Sequence, residues 1–472
     1  MIEARRRQQT FGDGFVADAV PDWQEAWMPH ADVLLADDQI VAAVYEALGR
    51  RHPQSRTRGR RGTSAETVLR LLVLKHLRNW SYQTLEREVR TNLLYRAFTR
   101  VGGGLTPDAK TMGRWGVAVG PETIAAVHRR LVALAQTHGV VEGRRMRVDT
   151  TVVEANIHYP TDSSLLSDGV RVLTRTMQQI TTIAGRVGAR VRDRRRSVTR
   201  RLLEIMRLTR SKGVPRHEPL AKAYRRLLDA TSRVVGQAKQ FAQEIETGVK
   251  RRTDPLAQAA LDGLRQVVDT FVPRVQHVMR QARARIFDGD THVPDKIVSL
   301  FEPSTDVIRK GKASKPTEFG KVVKLQEAEH QIITAYEVYA TRPKSDAELL
   351  TPALDAHAET FGRLPRLVAA DAGFYSTRNE TAAHARGVTR VCVPNRSTKD
   401  PARRQQQKTR WFKQGQAWRT GCEGRISVVK RRHGLARCRY KGEAGMSRWV
   451  GLGVVADTVI NIGRVLATTR RP

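Results

Sequence analysis

Residues 146–160, MRVDTTVVEANIHYP, set a bare carboxylate, Asp149, inside a run with the pattern of a buried strand. Met146, Val148 and Val152 fall on alternate positions, so Arg147, Asp149 and Thr151 point to the other face of a pleated strand. An unpaired carboxylate is costly to bury, which calls for a compensating cation, either a basic side chain or a metal. Two later stretches offer companions. Residues 367–374, LVAADAGF, read as a second apolar strand running into Asp371, and residues 419–430, RTGCEGRISVVK, as a helical segment carrying Glu423.

At 472 residues the chain is too long for one small core, and two or three domains are expected. Its 83 Lys and Arg against 47 Asp and Glu give a formal charge of +36, spread along the whole length. A polyanion is the partner such an excess suits, and nucleic acid fits better than a membrane surface, since no strongly amphipathic anchor is present. Cys392, Cys422 and Cys438 are odd in number and lack close metal-type spacing, so they read as reduced and incidental. The first residues lack the apolar core of a signal peptide, and no window is read as long enough to cross a bilayer. These features predict a cytoplasmic protein without a membrane partner.

Taken in order, the chain opens with short helices at 23–27 and 40–48 and a basic linker, RHPQSRTRGRR, at 51–61. Thr63 and Glu66 have the spacing of a capping box for a helix through Leu77. Ser81 is placed to cap the next, SYQTLEREVRTNLLYRAF, and the short break between the two allows either a helix-turn-helix or a plain helical hairpin. Thr106-Pro107 is predicted to open a third helix and Pro121 a fourth, ending near Gly139. Beyond the Asp149 strand, roughly 120 residues lose strand character, too many for an ordinary connection. Helical patterns at 172–186, 200–210, 220–245 and 255–285, rich in Arg, predict an inserted helical domain whose most basic run is VRDRRRSVTRR at 191–201. Strands return with IVSLF at 297–301, a basic loop at 309–315, and a hairpin from Val322 turning near residues 328–330. A helix at 345–361, strands at 367–371 and 388–394, a helix at 376–386, a basic loop at 396–408, the Glu423 helix stopped at Gly434, and an apolar helix at 449–466 complete the chain. That order suits one mixed sheet with helices packed on it, an α/β fold. The expected division is a helical N-terminal domain at 1–140, a sheet domain at 141–165 and 286–472, and a helical insertion at 166–285.

On a helix Arg419, Glu423, Ser427 and Lys430 share one face, and taken alone that face reads equally as an exposed charge ladder. Joined to Asp149 and Asp371, Glu423 completes a set of three carboxylates without His or Cys, hard oxygen donors suited to Mg²⁺ or Mn²⁺. Two such ions can activate a water or a 3′-hydroxyl and stabilise a departing oxygen. Without cations, clustered acids would raise one another's pKa values and take up protons. Asp149, Asp371 and Glu423 are therefore the candidate catalytic metal ligands, and Lys430 with Arg419 the candidate DNA-phosphate contacts. Glu154, Asp162, Glu302 and Asp306 compete for the role, whereas Asp346 and Asp355 are expected on a solvated helix surface, and His158 and His433 as an ordinary loop residue and a helix end.

VDTTVVEANI, VAADAGFYSTRNE and WRTGCEGRISVVKRRHGL resemble the catalytic blocks of DDE transposases from bacterial insertion sequences, especially the ISNCY-like group and relatives with a Y-(2)-R-(3)-E-(6)-K signature. Arg419, Glu423 and Lys430 fit that spacing, while Gln416 stands at the tyrosine position. The resemblance implies a ribonuclease-H-like core with the acids on the first strand, the fourth strand and the helix after the fifth. It also implies metal-dependent cleavage and strand transfer at element ends, by a homo-oligomer on double-stranded DNA associated with the nucleoid. A nuclease of the same fold without strand transfer, or a DNA-binding protein with idle acids, are the alternative readings.

Overall fold

The strand that carries Asp149, β1 (Arg145–Glu154), lies at the centre of a six-stranded sheet. The others are β2 (Asp306–Arg309), β3 (Thr317–Glu327), β4 (Ile333–Val338), β5 (Leu367–Ala369) and β6 (Arg390–Cys392). The order is β2-β3-β1-β5-β6, with β4 also paired to β3. Strand β3 runs antiparallel to β1 from the Arg147–Glu327 pair to Glu154–Gly320, and β5 and β6 add in parallel on the other side. This computed structural model describes all residues except 7–10, 53, 60–61, 211–216, 310–315 and 470–472. The basic loop expected at 309–315 lies outside the described residues after Arg309, as do residues 53, 60 and 61 of the basic linker.

The chain divides into two compact units, residues 1–156 with 308–472, and residues 157–307. In the first unit both faces of the sheet are covered. Met146, Val148, Val368 and Val391 pack with Leu350 and Leu354 of the helix Leu350–Phe361. Val153, Val323 and Leu325 pack with Trp449, Val450 and Val454 of the helix Gly442–Thr469. Leu452, Val455, Val459 and Ile462 of that same helix face the N-terminal helices, among them Ala65–Leu77 and Ala109–Thr137. A helix held between two apolar surfaces must be apolar all round. Contrary to the expectation that no window could cross a bilayer, Gly442–Thr469 is long and apolar enough to do so, but 72% of its most apolar window is buried inside the protein.

The second unit is a helical bundle of Asp162–Ala184, Arg195–Arg210, His217–Glu246 and Pro255–Phe287 with its own apolar core. Asp162, a competing acid in the sequence, is buried there against Arg285 at 2.8 Å and Gln281 at 2.7 Å. Residues 297–301 form no strand. Their backbone is satisfied by side chains instead, Ile297 N–H donating to Gln281 Oε1 and Leu300 carbonyl accepting from Arg274.

Several element ends shift for local reasons. Ser64, not Thr63, accepts from Thr67 N–H at the start of Ala65–Leu77, and Glu66 turns to Arg70. Asp108, not Thr106, caps Ala109–Thr137, and the segment after Ser81 breaks at Asn92, whose side chain caps a further short helix, Leu93–Phe98. Residues 23–27 are not a helix; a single 3₁₀ turn, Pro21–Trp23, precedes Met28–Leu35. The loop expected at 396–408 contains a helix, Pro401–Lys408, because Asp400-Pro401 supplies an N-cap and a first-turn proline.

His128, on Ala109–Thr137, is buried and donates from Nε2 to the Ile333 carbonyl at 2.9 Å, tying this helix to β4. Burial lowers its pKa to about 4. The unfolded chain then binds a proton near pH 6.5 that the folded chain refuses until about pH 4, so stability rises with pH through that window. Lowering the pH from 7 to 5 should cost about 2 kcal/mol through this residue at 1.36 kcal/mol per unit. In urea titrations at both values, His128→Gln should show a pH-dependent loss smaller than the parent's by about that amount.

Candidate active site

Strand register sets Asp149 and Asp371 each two residues beyond the last pair of the β1–β5 ladder. Arg147 pairs with Ala369, the last pair of this parallel ladder; Asp149 lies two residues further along β1, and Asp371 two residues past the end of β5. Neighbouring strands are about 4.8 Å apart, so the chain leaving β5 toward Asp371 starts beside the part of β1 that leads to Asp149. Strand β5 stops at Ala369, and Asp371 caps a 3₁₀ turn by accepting from Gly373 N–H at 2.7 Å. Asp149 accepts from its neighbour Thr150 N–H at 2.7 Å.

Glu423 arrives on the long helix Arg410–Arg432 and is joined to Asp149 through Arg419. The guanidinium lies 2.9 Å from Glu423 Oε1 and 3.9 Å from Asp149 Oδ2. Arg419 and Asp149 are largely covered, with side chains 14% and 15% exposed, whereas Glu423 is 57% exposed and can swing. Lys430 follows further along the helix, half-buried. The Asp149 charge reaches the helix from below as well, since burial, Glu327 and Asp149 together hold the Cys422 thiol well above its usual pKa.

A fourth acid belongs to this neighbourhood. Asp346, expected on a solvated surface, opens the turn Asp346–Leu349 and accepts from Thr150 Oγ1 at 3.2 Å. A methyl group placed on Gly373 would lie 3.1 Å from Asp371 Oδ1 and 3.4 Å from Asp346 Oδ2, so the two carboxylates border the same glycine. A solitary Asp ahead of an amphipathic helix carries no sign of this in the sequence. Asp355 does face outward, 3.3 Å from Arg386, and Glu154 lies 3.4 Å from Arg437. Among the described residues no three His, Cys, Asp or Glu side chains are arranged as a finished metal site. The positive charge between Asp149 and Glu423 is that of Arg419. His433 ends the Glu423 helix, but burial lowers its pKa to about 4, so it serves there as a neutral ring donating to the His76 carbonyl or facing Asp457, not as a cation.

Two family models match the chain, a transposase domain known as DUF772 over residues 25–116 and a transposase DDE domain over residues 377–466. The two matches support a DDE transposase of insertion-sequence type. No curated protein and no solved structure matches it. The DDE-domain match contains Arg419, Glu423 and Lys430, while Asp149 and Asp371 lie outside both matches.

Gln416, at the signature tyrosine position, takes part in the architecture of the site. Its amide donates to the Cys392 carbonyl at 2.7 Å and the Ala370 carbonyl at 3.3 Å, closing the ends of β5 and β6 just before Asp371. The helix is seated by Arg147 of β1, which is buried, pairs with Glu327 of β3, and donates to the Trp418 carbonyl while its guanidinium lies 4.9 Å from the Trp418 ring. Gly421 makes this seating possible. A Cβ there would come within 2.3 Å of Arg147 Nη1, and a guanidinium held by two partners has little room to yield. The glycines that weaken the helix in isolation thus include one required for its close approach to the sheet.

Glu327 is buried enough for its pKa to be raised despite Arg147. Arg147→Leu should therefore destabilise the protein by about 3–5 kcal/mol, because it leaves a buried carboxylate without its cation. Adding Glu327→Leu should recover much of that loss. Urea denaturation of the two single variants and the double variant reads the coupling directly, and additive losses would show that the pair is not the link.

Proposed function

We propose that this transposase cuts DNA at the ends of its insertion sequence and joins them to a target, using Asp149, Asp371 and Glu423 to hold two Mg²⁺ or Mn²⁺ ions. The observation that carries the proposal is that Asp149 and Asp371 each follow the last β1–β5 ladder pair, Arg147–Ala369, by two residues, with Arg419 of the Glu423 helix facing Asp149. The donors fit such ions: all are carboxylate oxygens, and Arg419 already marks the gap between Asp149 and Glu423 as a place for positive charge. When bound, the metal supplies an activated water or 3′-hydroxyl and stabilisation of the departing oxygen.

The remaining work falls to the chain's own groups. Arg419 and Lys430 hold a DNA phosphate in line with the acids, and Gln416 and Arg147 keep the strand ends and the helix in place. The sheet path β4-β3-β1-β5-β6, antiparallel in its first half and parallel in its second, supports a ribonuclease-H-like core. We assign DNA recognition to the helical region 1–140, catalysis to 141–165 with 286–472, and a further DNA contact to the helical insertion. The charge of +36 supports double-stranded DNA as partner, and we take the active form to be a homo-oligomer on element ends, of the ISNCY-like group, working on the nucleoid.

Glu423→Gln keeps the side chain's shape and removes the charge that would hold the metal, so cleavage and joining of element-end DNA should collapse while binding persists. Lys430→Ala should instead weaken engagement of the ends and lower activity without abolishing its metal dependence. Cleavage, joining and binding measured side by side with Mg²⁺ or Mn²⁺ provide the check. Full strand transfer by Glu423→Gln would overturn the ligand assignment, and cleavage without joining by the parent protein would point to a nuclease.

A further inference from the structure

The helix Arg195–Arg210 of the second unit buries Val198 and Ile205 and turns its opposite face outward. On that outer face stand Arg196, Arg200, Arg207 and Arg210, with Leu203 between them, and all are exposed. Steps of four, seven and three residues put the arginines in one narrow stripe, about 21 Å long at 1.5 Å per residue. The nearby acids are paired with cations outside the stripe, Asp193 with Arg195 at 2.6 Å and Glu204 with Arg201 at 3.0 Å, and of the stripe only Arg196 lies close enough to Asp193 to act on its charge. Among the described residues none of the stripe arginines makes an ion pair. Like charges at such spacing oppose helix formation, and a merely solvated face would interleave acids among them. The arrangement is one that an external polyanion relieves.

We propose that this stripe docks on the sugar-phosphate backbone of double-stranded DNA, a contact that rests on the reading of the chain as a DNA-cutting transposase. Guanidinium groups suit phosphate oxygens in charge and in fork geometry. An anionic lipid surface is the weaker match, because the apolar face of this helix is spent on the core and only Leu203 and Met206 show outward. A backbone contact also carries no sequence information, so the stripe would hold and orient the duplex while other surfaces select it.

The test uses the full chain. Arg196, Arg200, Arg207 and Arg210 are changed together to Gln, beside a control in which exposed Arg233, Lys239 and Arg251 of the same unit are changed to Gln. Binding to element-end duplex and to an unrelated duplex is followed by fluorescence anisotropy across a salt series. The stripe variant should lose affinity for both, with the slope of log affinity against log salt shallower by up to about 0.9 for each lost contact. The control should stay nearer the parent. If thermal melting shows the fourfold variant misfolded, the pairs Arg196/Arg200 and Arg207/Arg210 carry the same comparison. An unchanged slope, an equal effect in the control, no duplex binding by the parent, or a stripe effect confined to anionic phosphatidylserine vesicles would overturn the proposal. A parent that binds duplex through the stripe but never cleaves element ends would leave it standing and remove the catalytic reading instead.

Discussion

The buried guanidinium of Arg147 is the constraint on which the geometry of the site depends. It comes from the central strand, pairs with Glu327 on the antiparallel neighbour, and reaches the Trp418 carbonyl on the helix that carries Glu423. A hydrocarbon pair of the same volume could match such an ion pair in stability, but it could not fix direction in three elements at once. The missing side chain at Gly421 is part of the same device, since any methyl there would occupy the space of the guanidinium. One polar contact thus sets the height and the rotation of the helix over the sheet, and with them the side from which Glu423 approaches Asp149.

The sheet itself follows from the covering of its two faces. The alternation in residues 146–152 marks β1 as a strand, but its polar side is only slightly more exposed than its apolar one: Arg147 and Thr151 are buried and Asp149 is largely covered. A strand at the centre of a sheet covered by helices on both faces has no solvent side. Its polar residues are therefore ion-paired or hydrogen-bonded, and a carboxylate among them needs a positive neighbour. Asp149 has one in Arg419. The helix Gly442–Thr469 shows the same logic in apolar terms, buried against the sheet on one side and the N-terminal helices on the other.

What was legible in the sequence was whatever depends on local pattern. The hairpin turning at Glu329–Gln331, the Asp371 strand, the long Glu423 helix and the four helices of the second unit all come from periodicity and end signals over short windows. The errors have another origin. Residues 297–301 have the composition of a strand, yet Gln281 and Arg274 reach them first and satisfy their backbone, and no local rule sees a partner that distant. Thr63 and Thr106 are acceptable caps passed over for Ser64 and Asp108, because a one- or two-residue shift in the helix start costs little locally and packing decides it. Asp346 was illegible for the strongest reason. Its place beside Asp371 and Thr150 depends on how a turn after β4 folds back over β1, which is a property of the whole sheet.

The chain carries a large positive excess, yet Asp371 and Asp346 border the same glycine just past the end of β5, Asp346 bonds Thr150 beside Asp149, and Arg419 joins Asp149 to Glu423. Such a grouping is electrostatically self-opposed, and each carboxylate increases the demand for a cation shared with the others. Arg419 meets part of the demand but is divided, closer to Glu423 than to Asp149. The backbone N–H groups of Thr150 and Gly373 meet another part at the two aspartates. Under the proposed reading, the Asp149 oxygens that Arg419 now faces would be among those holding a divalent ion. Arg419 would keep its charge beside that site, where a phosphate oxygen is the other anion it suits. The same side chain that balances the acids in the free protein would thereby become a phosphate ligand in the loaded one, which gives its position between Asp149 and Glu423 a purpose in both states.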